Sequence, residues 1–237
     1  MSHRCAAYFD KSTKECKQSI EEHILKGVHF LEEMYLNRKF HQYLLRLSSL
    51  LDVPLNNKEV YNAMYASYIF HDIGKIDCSY QKSRTHFSGH EIFSAIWVYK
   101  HYSKLGLKVL VYPVIYAILL HHHNIVKKMH SKKEIHLCQK CLNYLVNLYS
   151  EKTSVNIIDY EHEIAGSLEE ILKELSKSDK ELKFVRLGYS LLQLVHGCDN
   201  YSASFRGGQQ TILSKEIIKV YESVKKLRLN FLPLSSF

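Results

Sequence analysis

Turn-forming residues are scarce in this chain. It has 3 Pro and 9 Gly among 237 residues, too few for an all-β architecture with its many tight turns. Long apolar runs are also missing. The longest, 109–120, is broken by Tyr112, Pro113 and Tyr116 and is too short to cross a bilayer. The first residues lead into charged sequence instead of the apolar core of a secretion signal. The six cysteines, Cys5, Cys16, Cys78, Cys138, Cys141 and Cys198, show no disulfide-framework spacing. No GxxxxGK[ST] phosphate loop occurs, since Gly74-Lys75 lacks the first glycine. These absences predict a soluble, cytoplasmic, reduced protein with no membrane partner and no nucleotide-driven motor of its own.

What is present is a globular composition, 46% hydrophobic and 24% charged, which a disordered chain would not have. The class predicted is all-α, in a single domain over 1–237, with 1–17 as a loosely held polar entry segment. A net charge of +8 suits a polyanionic partner. The 15 histidines are the compositional outlier, and they are spread along the chain.

Helical periodicity places helices over 19–36, 38–51 and 59–72. The segment 76–88 reads as irregular, polar and basic. A helix begins near residue 88, and a buried one covers 108–122. Further helices are expected over 134–148, 163–176, 184–199 and 211–229. Gly74, just past the last apolar position of the third helix, reads as its stop signal.

Metal-competent side chains recur at the ends or inner faces of these helices: His23, His71-Asp72, His90, His121-His122 and Asp199. A neutral imidazole beside a carboxylate suits a divalent ion, and the carboxylate has a second oxygen to offer another. His90 competes with His86, and the Ser94-Ala95 context favours His90. The triplet His121-His122-His123 leaves the register of the pair open; the apolar run ending before His121 favours His121-His122. Cys138-x-x-Cys141, near His130 and His136, is a single pair within an amphipathic pattern, which does not by itself make a zinc site. Lys127-Lys128 and Lys132-Lys133 read as a solvated basic face.

The order H…HD…H…HH…D resembles the HD superfamily of metal-dependent phosphohydrolases. His71-Asp72-Ile-Gly74-Lys75, His90 with Ser94-Ala95, Ala117-Ile-Leu-Leu-His121-His122, and Asp199 with Ala203-Ser204 and Arg206 behind it resemble the HD nuclease of the CRISPR type I interference nuclease–helicase. The resemblance implies one ion on His23, His71, Asp72 and Asp199, and a second on Asp72, His90, His121 and His122. Asp72 would bridge the two, roughly 3.5–4 Å apart, around a shared water. Mixed imidazole and carboxylate ligation favours Mn, Co, Ni or Fe, with Mg as a further option. Asp72 and Lys75 would be the catalytic pair, Lys75 neutralising a phosphate oxygen. Tyr80, Lys82 and Arg84 are candidates for guiding a single strand. The implied substrate is single-stranded DNA, with RNA also open, and the implied partners are a separate helicase subunit and an RNA-guided surveillance complex. The rival readings are an HD phosphohydrolase of nucleotides or cyclic dinucleotides, and a binding subunit that has kept the fold without catalysis.

Overall fold

The computed structural model describes residues 5–84, 87–122, 134–176, 181–207 and 210–230. Helices carry the core, in the order α1 (Ile20–Leu31), α2 (Phe40–Leu50), α3 (Asn57–Ile69), α4 (Cys78–Ser83), α5 (His90–His101), α6 (Val111–Leu120), α7 (Gln139–Thr153), α8 (Leu168–Ser176), α9 (Glu181–Ala203) and α10 (Ile212–Asn230). The predicted helical class is therefore observed. Two short antiparallel pairs go beyond that expectation: β1 (Ala6–Phe9) with β2 (Cys16–Ser19), and β3 (Glu134–His136) with β4 (Glu163–Ala165).

The helix α3 explains the architecture. Its residues from Val60 to Ile69 are almost all buried, as expected of a helix apolar on every side. Its first turn is closed by a reciprocal cap. Asn56 Oδ1 accepts from the Glu59 N–H at 3.0 Å, and Glu59 Oε2 accepts from the Asn56 N–H at 3.0 Å. Around it, α9 packs on α1, α2, α3, α6 and α10, while α5 packs on α6. One continuous apolar core results, with Trp97, Tyr68, Tyr149 and Phe70 among its largest buried side chains.

Several expectations are corrected. Within the entry segment Cys5, Ala6, Ala7 and Phe9 are buried while 11–17 are exposed, and the Ile20 N–H donates to Cys5 O at 2.8 Å. The irregular segment 76–88 contains the helix α4. The helix expected over 134–148 is divided, with a strand at its start and α7 beginning only at Gln139. Ile135 is buried between exposed Glu134 and His136, an alternation that suits a half-covered strand.

Gly74 also acts differently from expected. The helix α3 ends at Ile69, and Gly74 lies inside a following helical turn, Ile73–Ile76. A Cβ at Gly74 would lie 2.2 Å from the backbone oxygen of His90. Glycine is needed there because two backbones nearly touch, and that contact sets His90 beside Asp72.

Among the described residues no helix is long and apolar enough to cross a membrane. The cysteines are not all free, since Cys5 and Cys141 are joined as a disulfide. His86, His123, His130, Lys127-Lys128 and Lys132-Lys133 lie outside the described residues.

Candidate metal centre

The seven predicted ligands converge from five parts of the fold. His23 comes from the first turn of α1, His71-Asp72 from the turn after α3, and His90 from the first residue of α5. His121 and His122 follow the last residue of α6, and Asp199 lies near the end of α9. They form two groups, His23/His71/Asp72/Asp199 and Asp72/His90/His121/His122, with one donor atom per residue and all donors of a group within 4.8 Å of one another. His123 is not needed to complete either group.

Asp72 is the shared member, and its two oxygens divide the work. Its Oδ2 lies 3.2 Å from His71 Nε2 and 3.5 Å from His23 Nε2. Its Oδ1 lies 3.0 Å from His90 Nε2 and 3.6 Å from His121 Nε2. Asp199 Oδ1 closes the first group at 3.2 Å from His23 Nε2 and 3.7 Å from His71 Nε2. The His122 ring stands 4.0 Å from His121 and 5.0 Å from His90, centroid to centroid. Lys75 Nζ donates to Asp72 Oδ2 at 2.7 Å.

Four of the imidazoles are aimed by the far nitrogen. His71 Nδ1 meets Tyr68 O at 2.6 Å, His90 Nδ1 meets Phe87 O at 2.5 Å, and His121 Nδ1 meets Ile118 O at 2.5 Å. A carbonyl can only accept, so each Nδ1 carries a proton and each Nε2 is left as the atom that can bind an ion or a further proton. His23 is held by Ser202, whose hydroxyl donates to His23 O at 2.5 Å and accepts from Nδ1 at 2.9 Å. Tethering of this kind is what metal-binding histidines ordinarily have.

The near nitrogens, by contrast, lack hydrogen bonds. His23, His71, His90 and His121 each bury an Nε2 without a hydrogen-bond partner, and so does Asp72 Oδ1. Each such atom costs about 1–3 kcal/mol if nothing satisfies it. His101 gives the contrast. It is equally buried, but its Nδ1–H donates to Trp97 O at 2.8 Å and its Nε2 accepts from the Glu161 N–H at 3.1 Å. His101 thus uses both nitrogens, whereas four histidines around Asp72 turn an unpartnered Nε2 inward. That donor set fits a divalent cation.

The electrostatics agree. Burial lowers the His23 and His90 pKa values, keeping those rings neutral and ligand-ready despite neighbouring carboxylates. Burial, followed by His121 and His90, lowers His122 to about 2. For His71, burial is outweighed by Asp72 and Asp199, and the pKa rises to about 9. Asp72 and Asp199 are held well below the usual carboxylate range, burial being overcome mainly by His71 and Lys75 for the first and by His23 and His71 for the second. The pocket thus favours positive charge, and in the metal-free protein a proton on His71 supplies it.

The strand-guiding candidates have mixed exposure. Lys82 and Arg84 are exposed on and just after α4. Tyr80 is half-buried, its hydroxyl donating to Ser88 O and its ring set edge-on to Phe87 at 5.9 Å. Phe87 is the residue that sequence reasoning misses. It stacks on Phe9 at 5.6 Å and lies 5.8 Å from Lys75 Nζ, so an aromatic wall flanks the one lysine of the centre. Ser94 stands out in the sequence only as part of a pattern. Its hydroxyl donates to His90 O at 2.9 Å and accepts from the Gly74 N–H at 3.0 Å, bridging the two metal-competent segments. Ser204, the serine of the sequence motif, bonds locally to Tyr201 O, and it is Ser202 that holds His23.

No protein-family model matches the sequence, and neither does any curated protein. Its function is therefore read from the chemistry of the centre.

Proposed function

We propose that the protein is a metal-dependent phosphodiesterase of HD type that cleaves single-stranded DNA in CRISPR interference. The observation that carries this reading is the shared carboxylate. Asp72 presents one oxygen to each of two groups of imidazoles, and the Nε2 atoms of His23, His71, His90 and His121 are buried around it without a hydrogen-bond partner. Two divalent ions on such ligands supply Lewis acidity, activating water and neutralising charge at phosphorus.

The protein's own residues do the rest. His23, His71 and Asp199 hold one side of Asp72, and His90, His121 and His122 hold the other. Burial keeps the site dry enough for charges to act strongly. Lys75, on Asp72 with its side chain only 13% exposed, faces the anion and neutralises it as charge grows in the transition state. The half-buried rings of Phe87 and Tyr80 next to Lys75, backed by Phe9, offer surface on which an unpaired base can stack, with Lys82 and Arg84 for the backbone. Net charge +8 favours a polyanion over a small neutral substrate. A separate helicase and an RNA-guided complex would supply the displaced strand.

The test is cleavage of labelled circular and linear single-stranded DNA by purified protein, with and without Mn, alongside Asp72→Ala. Mn-dependent cleavage that disappears in the variant is the expected result. Hydrolysis of nucleotides or cyclic dinucleotides with no action on DNA under any divalent ion would overturn the nucleic-acid reading.

A further inference from the structure

A second group of soft donors lies away from the His/Asp centre. The sequence offers only the pair Cys138-x-x-Cys141, within what reads as a continuous helix. In the fold Cys138 is the residue before α7, with extended backbone, and Cys141 lies in the first turn. The spacing therefore spans a loop-to-helix corner, which lets both sulfurs face one point. Cys5, distant in sequence, joins them from the start of β1: Cys5, Cys138 and Cys141 have their sulfurs within 4.8 Å of one another. A fourth thiol, outside that 4.8 Å group, lies on a neighbouring segment. Asp77 bridges to Leu137 in antiparallel fashion, and the Cys138 N–H donates to Ile76 O at 2.9 Å. Cys78 follows Asp77 in the chain, so it emerges next to Cys138. Cys5 and Cys141 are buried, and Cys78 and Cys138 are half-buried, so the sulfurs are shielded while an entry route remains. His136, the histidine nearest in sequence, points outward toward Glu163 and takes no part.

We propose that in the reduced protein Cys5, Cys138 and Cys141, with Cys78 as fourth ligand, form a thiolate site for a structural zinc ion. Sulfur donors in this number and closeness are what zinc selects, at tetrahedral sites closed by protein. The Cys5–Cys141 disulfide is the oxidised alternative of the same site. Two electrons and two protons from a dithiol reductant convert that bond to two thiols, and the reductant leaves as its own disulfide. Each thiol then gives up a proton as its sulfur binds the ion.

The site's position gives it a purpose. Beside Cys5, the Ala6 N–H donates to Gln81 Oε1 at 2.8 Å, and Gln81 Nε2 donates to Lys75 O at 2.7 Å. The sulfur site thus fastens the β1 strand, the segment carrying Lys75 and the start of α7 together, directly behind the candidate metal centre.

The test uses full-length protein reduced with a phosphine and titrated with Co(II) and Zn(II). Co(II) on this site gives a thiolate-to-metal charge-transfer band, which the sulfur-free His/Asp centre cannot produce. Zn(II) in excess of the His/Asp centre's capacity displaces that band. Differential alkylation with mass spectrometry then shows Cys5, Cys78, Cys138 and Cys141 protected by zinc, with exposed Cys16 labelled in both states. Cys138→Ser should weaken zinc binding by at least a hundredfold. Should that variant fail to fold, the alkylation pattern of the unaltered protein still decides. Absence of the charge-transfer band in fully reduced protein, or equal labelling of Cys138 and Cys141 with and without zinc, would overturn the proposal.

Discussion

Replacing Gly74 with alanine probes the contact that brings the two halves of the centre together. The added Cβ would lie 2.2 Å from His90 O and 2.9 Å from both His90 C and Cα. An ordinary carbon–oxygen contact is about 3.3 Å or more, so the two backbones must part by about 1 Å. Neither is the end of a flexible side chain, so the strain cannot be shed by a rotamer change. Overpacking of this kind costs about 1–3 kcal/mol. The movement also pulls on Ser94, which holds the Gly74 N–H and His90 O, with about 1 kcal/mol for each bridge weakened. Urea unfolding of Gly74→Ala should therefore show a loss of about 3–5 kcal/mol by these same magnitudes, with an unchanged slope. Hydrolysis by the folded fraction should fall as well, because His90 moves away from Asp72. Gly207→Ala is the control: its φ is +79° but nothing lies within 4 Å. It should cost about 1 kcal/mol from backbone alone and leave hydrolysis intact. A Gly74→Ala protein within about 0.5 kcal/mol of the parent, the range of ordinary surface changes, would refute the account of Gly74 as a close-approach residue.

Other expectations follow from the same geometry. Lys75→Met should lower hydrolysis of DNA by about a hundredfold, the scale for losing one preorganised charge partner, while calorimetric binding of Mn persists; equal loss of both would make Lys75 a mere structural counter-ion. His101→Phe keeps the ring shape but strands the Glu161 N–H, so it should cost about 1–3 kcal/mol of stability with activity per folded molecule unchanged. At Glu59, burial raises the carboxyl pKa, but Lys108 at 2.7 Å and the Asn56 N–H outweigh it and leave it lowered. Its contribution is present above the unfolded value of about 4.3 and is lost as pH falls through the folded one. Glu59→Gln should flatten that part of the acid-stability curve measured by thermal melting.

The ligands are legible in the sequence because each is a chemically distinctive residue at the end or face of an apolar helix. His23, His71, Asp72, His90, His121, His122 and Asp199 can be gathered from residue type and order alone, and the fold brings all of them together. What cannot be read that way is the support. Ser202, Ser94 and Phe87 are ordinary residue types whose roles come only from long-range packing. Gly74 fits a local rule, as a helix stop, whereas a tertiary contact sets its identity. The pairs β1–β2 and β3–β4 escape notice because strands of three or four residues give too few alternations to stand out. The cysteine group is hidden for a similar reason: Cys5 is far along the chain from the pair it joins, and sequence spacing alone says nothing of closeness in space.

The arrangement of Asp72 between its two groups has a consequence in time during synthesis. The group that uses Oδ1 needs nothing beyond His122, whereas the group that uses Oδ2 waits for Asp199 near the end of α9. As the chain leaves the ribosome, the donors of one half are all present while the other half still lacks its closing carboxylate. His23, made early, must keep its nitrogen uncommitted until both Asp199 and its tether Ser202 have emerged. Closing so long a chain segment late is slow by nature. A nascent chain halted before α9 would therefore present half a centre.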